Sequence, residues 1–513
     1  MATSNRPARG PLAAAVLLFA LVAALYLRHL PDAPVYLAHD EIKFALQARS
    51  IAATGRDLNG VFLPVYFSEP EFRGGRDPMI IYAMALVLKV LPLSEMAIRL
   101  PTALVGILDV VLMFFVARRL FSSGWIGVIG AGLLATTPAH FIHARFGLDI
   151  LYPLPFVLGW LLCLSIFLEG NRRAWLIASS VCLGVGIYSY LPAIVMMPMF
   201  LAFTCVAVRQ RPDRVQLWAW AVLGFALPLA PLVTWQITHP ARIADLIAAY
   251  RPPGTAAARS ASATTLGAIE TYWNFFNPSF LFFAGDSSLV NSTRGVGVFL
   301  LPIAALWIVG IHRIATGPRS LLIVALLGGL ASAPLAASAM GVVEIRRALL
   351  MLPFGILIAV YGVEALLVSR RRLAQAVLLI LLAAAALQFR GFYVDYFGAH
   401  RIRSGIWLGG NIRGAVTSAI AAAREQPAPA IYLSDGIPYL DAYWSFYSLA
   451  QGAGDLHAVG YDPARLDNSA IPSGALRVSD AAEFARSGGD VWQAVRAISE
   501  LEGQPTFVVS RRR

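Results

Sequence analysis

Residues 11–55 read PLAAAVLLFALVAALYLRHLPDAPVYLAHDEIKFALQARSIAATG, and the order of the two halves decides the fold. Pro11 to Leu30 is one apolar run, and a helix rising about 1.5 Å per residue needs about 20 such residues to cross the hydrocarbon core of a bilayer. The run follows Arg6 and Arg9, exceeds the length of a signal-peptide core and lacks a clear small-residue cleavage site, so it reads as an uncleaved first span. His39-Asp40-Glu41 then opens a segment in which Lys43, Gln47, Ser50 and Thr54 share one helical stripe and apolar residues cover most of the rest. That pattern describes a helix lying on the outer leaflet, with its acids where lipid meets water.

Runs of spanning size recur near 98–117, 124–142, 149–168, 174–190, 191–208, 215–236, 296–312, 320–338, 348–368 and 373–389. With the first run they give about 11 transmembrane helices. At 58% hydrophobic and 14% charged, the chain has more apolar surface than a soluble core could hide. Its net charge of +12 does not mark a nucleic-acid partner, because the arginines fall between apolar runs and not along one polar face. They behave as topology signals. With the N-terminus cytoplasmic, the inside loops hold Arg118 and Arg119, then Arg172 and Arg173, then Arg209, Arg211 and Arg214, then Arg313 and Arg319, then Arg370 to Arg372. An odd number of spans then places the C-terminus extracytoplasmic, with the chain in the cell (inner) membrane.

The expected fold is an α-helical polytopic membrane protein with interfacial helices and a small C-terminal extracytoplasmic α/β domain. Residues 1–390 would form the transmembrane domain, with outer loops 31–98 and 239–295, and residues 391–513 the α/β domain. Pro78 to Leu93 is short for a span, carries Lys89 and reads as interfacial. In the tail, Asn411 to Glu425 reads as a helix, Ala430 to Leu433 as a strand before an Asp435-Gly436 turn, and Thr506 to Ser510 as a strand. Cys163, Cys182 and Cys205 lie in apolar runs without a metal or redox pattern. Gly184/Gly186 and Gly295/Gly297 suit helix packing better than phosphate binding.

Asp40, on the outer side, is placed to cap a helix or to take a proton from an incoming hydroxyl. Glu41 suits the first turn of a helix through the helix dipole. Asp149, in HARFGLDILYP, stands at the mouth of the fourth predicted span on the same side, as a second acid or a helix cap. His140 and His143 have helical spacing but no obvious third metal ligand. Positive charge facing outward runs against the topological rule, so Arg73, Arg76, Arg145, Arg294, Arg346 and Arg347 each need a local reason: snorkelling to lipid phosphates, or cradling the phosphate of a substrate.

These pieces together resemble the GT-C class of lipid-linked-sugar glycosyltransferases, specifically the protein O-mannosyltransferase and lipid A aminoarabinose transferase group. HDEIKFALQARSIAATGRD resembles that group's opening outer loop and interfacial helix, DPMIIYAMALVLKVLP its Pro-led second interfacial helix, and IRLPTALVG its Arg-led second span. RFGLDILYP looks like its second acidic loop, YWNFFNPSFLFFAGDSSLVNSTRGVG a loop of many bacterial members, and RRALLMLP their basic motif before a late span. The resemblance runs from the first span to about Val368, and the tail agrees only in general plan.

The resemblance implies inverting transfer of a sugar from a polyprenyl-phosphate carrier to an acceptor at the outer membrane face. Asp40 would be the general base, Glu41 its support, and Asp149 a group positioning acceptor or sugar. Arg346 and Arg347, with Arg145 and Arg294, would hold the carrier phosphate. Some members carry Lys immediately before the Pro of the second interfacial helix; this chain has Asp77 there, leaving Arg76 as the candidate for that phosphate contact. No cofactor is expected, and a divalent metal has no support. The acceptor, whether protein, glycolipid or cell-envelope glycan, stays open. Two other classes compete: a transporter or flippase of a lipid-linked sugar, which calls for ionisable groups near mid-membrane, and a non-catalytic assembly subunit. Only Asp109 and Glu364 lie well inside the predicted spans as acids.

Overall fold

The computed structural model describes residues 9–69, 72–241, 261–317, 321–487 and 491–513. Arg319, the side chain of Arg73 and residues 242–260 of the second outer loop lie outside the described residues. The protein is a multi-pass, mostly helical membrane protein. Each expected span coincides with an apolar helix, but by length and composition only 7 of the described helices can cross a membrane. The remaining four spans are shorter helices: Gly124–Ala135, Arg173–Gly186, Ala193–Ala207 and Leu301–Thr316. Local chemistry stops two of them early. Gly124–Ala135 gives way at Thr136-Thr137 to a new turn led by Pro138, and Arg173–Gly186 is parted from Ala193–Ala207 by a turn that ends at Pro192. Pro78–Leu88, with 11 residues, is too short to span, in keeping with an interfacial helix.

The chain divides into two compact units. The first comprises Met1–Arg28, Leu63–Ile80 and Pro101–Val394. Its helices meet through small residues that let backbones approach. A Cβ on Gly310 would lie 2.0 Å from the Ile358 carbonyl oxygen, and one on Gly362 would lie 2.2 Å from that of Leu306. Gly184 has the same relation to Phe225 across two other helices, at 2.3 Å, so its helix-packing role stands. Gly297 instead lets a loop close onto the backbone of Leu281 and Phe282, so it packs loop against turn and not helix against helix.

The two acids within the spans are both paired. Asp109 meets His140 at 3.2 Å, and the other ring nitrogen of His140 meets Tyr26 Oη at 2.8 Å, all three fully buried. Glu364 accepts from Arg313 at 3.0 Å.

The second unit comprises His29–Phe62, Ile81–Leu100 and Asp395–Arg513. Strands β1 (Phe67–Glu69) and β2 (Phe72–Arg76) pair antiparallel in the first unit, and the sheet of the second unit has the order β4-β3-β5-β7-β6, formed by β3 (Ile431–Ser434), β4 (Ala458–Tyr461), β5 (Leu476–Asp480), β6 (Trp492–Ser499) and β7 (Pro505–Arg512). β3 pairs in parallel with β4 and β5, whereas β7 runs antiparallel to β5 and β6. Helix Ile412–Glu425 covers this sheet with an amphipathic face of Ile412, Val416, Ala419 and Ile420, and the Asn411 side chain caps it by accepting from Gly414 N–H at 2.9 Å. The tail elements read from the sequence, including the turn after β3, are therefore present.

The Gly310/Gly362 seam gives a test of the packing. Gly310→Val places a branched side chain against backbone that cannot yield, and overpacking of this kind costs about 1–3 kcal/mol. A thermal unfolding scan in detergent should show a clearly lowered midpoint for Gly310→Val, and little change for a valine at Gly132, where a Cβ has nothing within 4 Å.

Candidate active site

In the second unit, helix His39–Thr54 begins after Ala38, whose extended backbone breaks the helix on its N-terminal side. Glu41, at the third helical position, reaches back to accept from Ala38 N–H at 2.9 Å. The same carboxylate meets Arg99, with Nε to Oε1 at 2.9 Å and Nη2 to Oε2 at 3.3 Å, and both side chains are fully buried. Arg99 spends its remaining donors on the loop after the first span: the carbonyls of Leu30 (3.2 Å), Pro34 (2.8 Å) and Tyr36 (2.8 Å). Glu41 is thus a carboxylate locked in structure, and the acid left toward solvent is its neighbour Asp40, with 28% of its side chain exposed.

Around Asp40, His39 Nε2 lies 3.5 Å from Oδ1, and the hydroxyl of Tyr443 donates to the Leu37 carbonyl at 2.7 Å. Burial, and then the charges of Glu41 and Asp40, push the Tyr443 phenol well above its usual range, so it is a donor and not a base. The polar stripe expected on this helix is partly turned inward. Gln47 is buried because its side-chain oxygen accepts from Leu58 N–H at 3.1 Å and ties down the loop that follows.

The first unit holds the other acids and the arginines. Asp77, just before Pro78, is buried, accepts from Leu191 N–H and is hydrogen-bonded to the carboxyl of Asp149. Burial first, and then the charge and hydrogen bond of Asp149, raise the Asp77 carboxyl well above its ordinary range, while Arg76 pulls the other way. Two carboxyls so placed hold a proton between them. Asp149 opens a short 3-10 turn, Asp149–Leu151, ahead of helix Pro153–Gly170.

Arg346 and Arg347 sit in a 3-10 turn, Ile345–Arg347, and share one carboxylate: Glu344 Oε2 accepts from Arg346 Nε at 2.6 Å and Arg347 Nε at 3.1 Å. Burial would raise the Glu344 carboxyl, but the two guanidinium groups outweigh it and hold it below its usual value. The turn itself is held by Asp286, whose buried carboxylate accepts from Ile345 N–H (2.7 Å), Ser288 N–H (2.8 Å) and the Asn291 amide (3.2 Å). Asn291 is therefore consumed inside the loop and buried. Arg294 is exposed, takes a left-handed backbone conformation and donates to the Ser287 carbonyl.

Arg145 is fully buried and donates to the Tyr26 carbonyl at 2.6 Å, which ties the turn after Pro138–His143 to the first helix. His140 and His143 are likewise buried in structural hydrogen bonds, His143 to the Ala139 carbonyl at 2.7 Å. Among the described residues no three His, Cys, Asp or Glu side chains gather as a metal site would require.

Sequence reasoning named Asp40, Glu41, Asp149 and the arginines but missed Arg99, Glu344 and Asp286. Glu344 stands two residues ahead of the quoted motif RRALLMLP, and its spacing to the two arginines was the available signal.

The fold is a polytopic helical body with an acid-led helix after the first apolar helix and a small mixed sheet near the C-terminus. Residues 72–235 match the model of the dolichyl-phosphate-mannose-protein mannosyltransferase family, about a third of the chain. The fold matches ArnT from Cupriavidus metallidurans in the apo state with a TM-score of 0.58 at 16% identity, over 96% of this chain and 97% of that one. The same protein bound to undecaprenyl phosphate matches with a TM-score of 0.58 at 15% identity, over the same shares, 96% and 97%. An Archaeoglobus fulgidus oligosaccharyltransferase tethered with an acceptor peptide containing the NVT sequon matches with a TM-score of 0.52 at 12% identity, over 93% of this chain and 70% of that one. No curated protein sequence gives a match.

Two outcomes follow from this geometry. Glu41→Ala strands a buried guanidinium, a loss of about 3–5 kcal/mol, and Arg99→Lys falls well short of rescue because one ammonium cannot reach a carboxylate and three carbonyls together; thermal unfolding of purified protein measures both. For Asp77, the folded chain keeps a proton that the unfolded chain releases once pH passes the ordinary carboxylate range of about 4. Stability from this group therefore falls as pH rises above that range, and Asp77→Asn should gain in unfolding midpoint relative to the wild type at pH 8 but not at pH 4.

Proposed function

We propose that this chain is an inverting glycosyltransferase that moves a sugar from a polyprenyl-phosphate carrier to a hydroxyl acceptor at the outer face of the cell membrane, with its N-terminus cytoplasmic. The observation that carries the reading is the match of nearly the whole chain to the fold of a protein solved with undecaprenyl phosphate, together with a solvent-facing carboxylate at Asp40 where that class begins its outer loop. A lipid phosphate brings a leaving group already charged and held at the interface. The protein then has to supply a base for the acceptor and positive charge for the departing phosphate.

Asp40 is the base, and Glu41 positions it through Arg99 and Ala38. Arg346 and Arg347 hold the phosphate: Glu344 fixes the two side chains and cancels one of their charges, so the pair keeps one net positive charge to offer. Arg76 and the exposed Arg294 are further contacts for the same group. Asp149, sharing its proton with Asp77, orients a hydroxyl of sugar or acceptor by hydrogen bonding. In this scheme residues 1–390 form the catalytic domain and residues 391–513 the extracytoplasmic one. The transporter reading asks for ionisable groups at work in mid-membrane, but the acids in the described spans are engaged with His140 and Arg313.

The test is to incubate purified protein with undecaprenyl phosphate carrying mannose, glucose, galactose or aminoarabinose and to follow sugar release by mass spectrometry. One sugar should be released, and Asp40→Asn should slow its release by about 10²–10⁴-fold with the fold intact. Arg346→Ala should raise KM for the carrier as well as lower kcat. Full release by Asp40→Asn would remove the base assignment.

A further inference from the structure

Tyr439 is the first residue before helix Leu440–Ala450 of the tail and has φ 60°, the left-handed region that a bulky side chain adopts only under constraint. Its ring is spent on the helix that carries Asp40. His39 stacks on it with centroids 4.6 Å apart and planes 12° apart, and Lys43, one turn further along, sets Nζ 4.4 Å from its centroid. Tyr439 remains 37% exposed, so burial of apolar surface does not account for the strained backbone. What the strain achieves is the placement of an aromatic plane against His39, whose Nε2 faces Asp40 Oδ1 at 3.5 Å and whose side chain is 46% open to solvent.

We infer that His39 is a proton-relay residue behind Asp40 and that Tyr439 is the positioning residue that holds its imidazole there. This rests on the reading of Asp40 as the base. In the step, Asp40 takes the proton of the acceptor hydroxyl as that oxygen bonds to the anomeric carbon. The bond from that carbon to the phosphate oxygen breaks, and its electron pair leaves with the phosphate. The proton then passes from Asp40 to His39 Nε2 and on to water, which returns both groups to their starting charge. The ring stacking fixes the plane of the imidazole, so Nε2 stays 3.5 Å from Oδ1, a charge contact short of a hydrogen bond at rest, while 46% of the side chain is open to water. Lys43, with its ammonium over the Tyr439 ring, limits how far that ring can swing.

The experiment uses the full chain in lipid nanodiscs with undecaprenyl-phosphate mannose, glucose, galactose and aminoarabinose as probes. His39→Gly and Tyr439→Gly are assayed for kcat, for KM of the carrier and for response to added imidazole. Glycine suits the backbone at Tyr439, so this variant should unfold no earlier than the wild type. The inference expects both variants to lose about tenfold or more in kcat with KM for the carrier nearly unchanged. It also expects imidazole to restore His39→Gly in proportion to its concentration and to do nothing for Asp40→Asn. Wild-type kcat in both variants, or a slow His39→Gly that imidazole does not restore, overturns it. If Asp40→Asn itself retains full activity, the base assignment has failed; if Asp40→Asn is inactive while the His39 and Tyr439 variants run at full speed, only the relay has.

Discussion

One buried ion pair sets the geometry of the candidate base. Arg99 has five guanidinium donors, and five hydrogen bonds meet them: two to Glu41 and three to the carbonyls of the loop after the first span. A buried cation so fully met is stable, whereas either partner alone would be a severe defect. The planar fork is what makes this possible, since an ammonium offers its donors without fixed direction. Because Glu41 is spent in this way, Asp40 beside it is held at the start of a helix whose position is fixed but whose first carboxylate still meets water. The structural acid and the candidate base are adjacent residues with opposite surroundings.

Other carboxylates repeat the device within the second unit. Glu95 accepts from Arg413 at 3.1 Å and from the Tyr447 hydroxyl at 2.7 Å. Glu500 accepts from Tyr36 at 2.9 Å and from Asn411 N–H at 2.7 Å. Each joins segments far apart in sequence, which fixes the irregular loops around the buried apolar residues of the unit. In the first unit the helices rely instead on glycine contacts and on a few closed polar pairs, as expected where lipid supplies no hydrophobic drive between helices.

Much of this was legible in the sequence because it is written in local patterns. Apolar runs of about 20 residues disclosed the helices, and alternation of hydrophobic character in the tail disclosed its helix and strands. The acids at Asp40 and Asp149 stood out by position, and the departure at Asp77 stood out against the related pattern. The partners were not legible. Arg99 is separated from Glu41 by most of the first outer loop, and Asp286 from Ile345 by three helices, so neither pairing leaves a trace in spacing. Arg145 looked like a phosphate contact because the sequence shows its charge and not the Tyr26 carbonyl that occupies it. Gln47 looked solvent-facing for the same reason: a polar side chain on a helical stripe tells nothing of a loop that folds over it.

The way the chain threads its two compact units has an evolutionary and practical consequence. Residues 395–513 close their unit only with 29–62 and 81–100, through Glu500 with Tyr36 and Glu95 with Arg413 and Tyr447. A gene fusion or recombination that exchanged the C-terminal part alone would separate these partners. Inheritance of a new tail therefore demands matched changes near the N-terminus, and the two regions should drift together over time as a single heritable block.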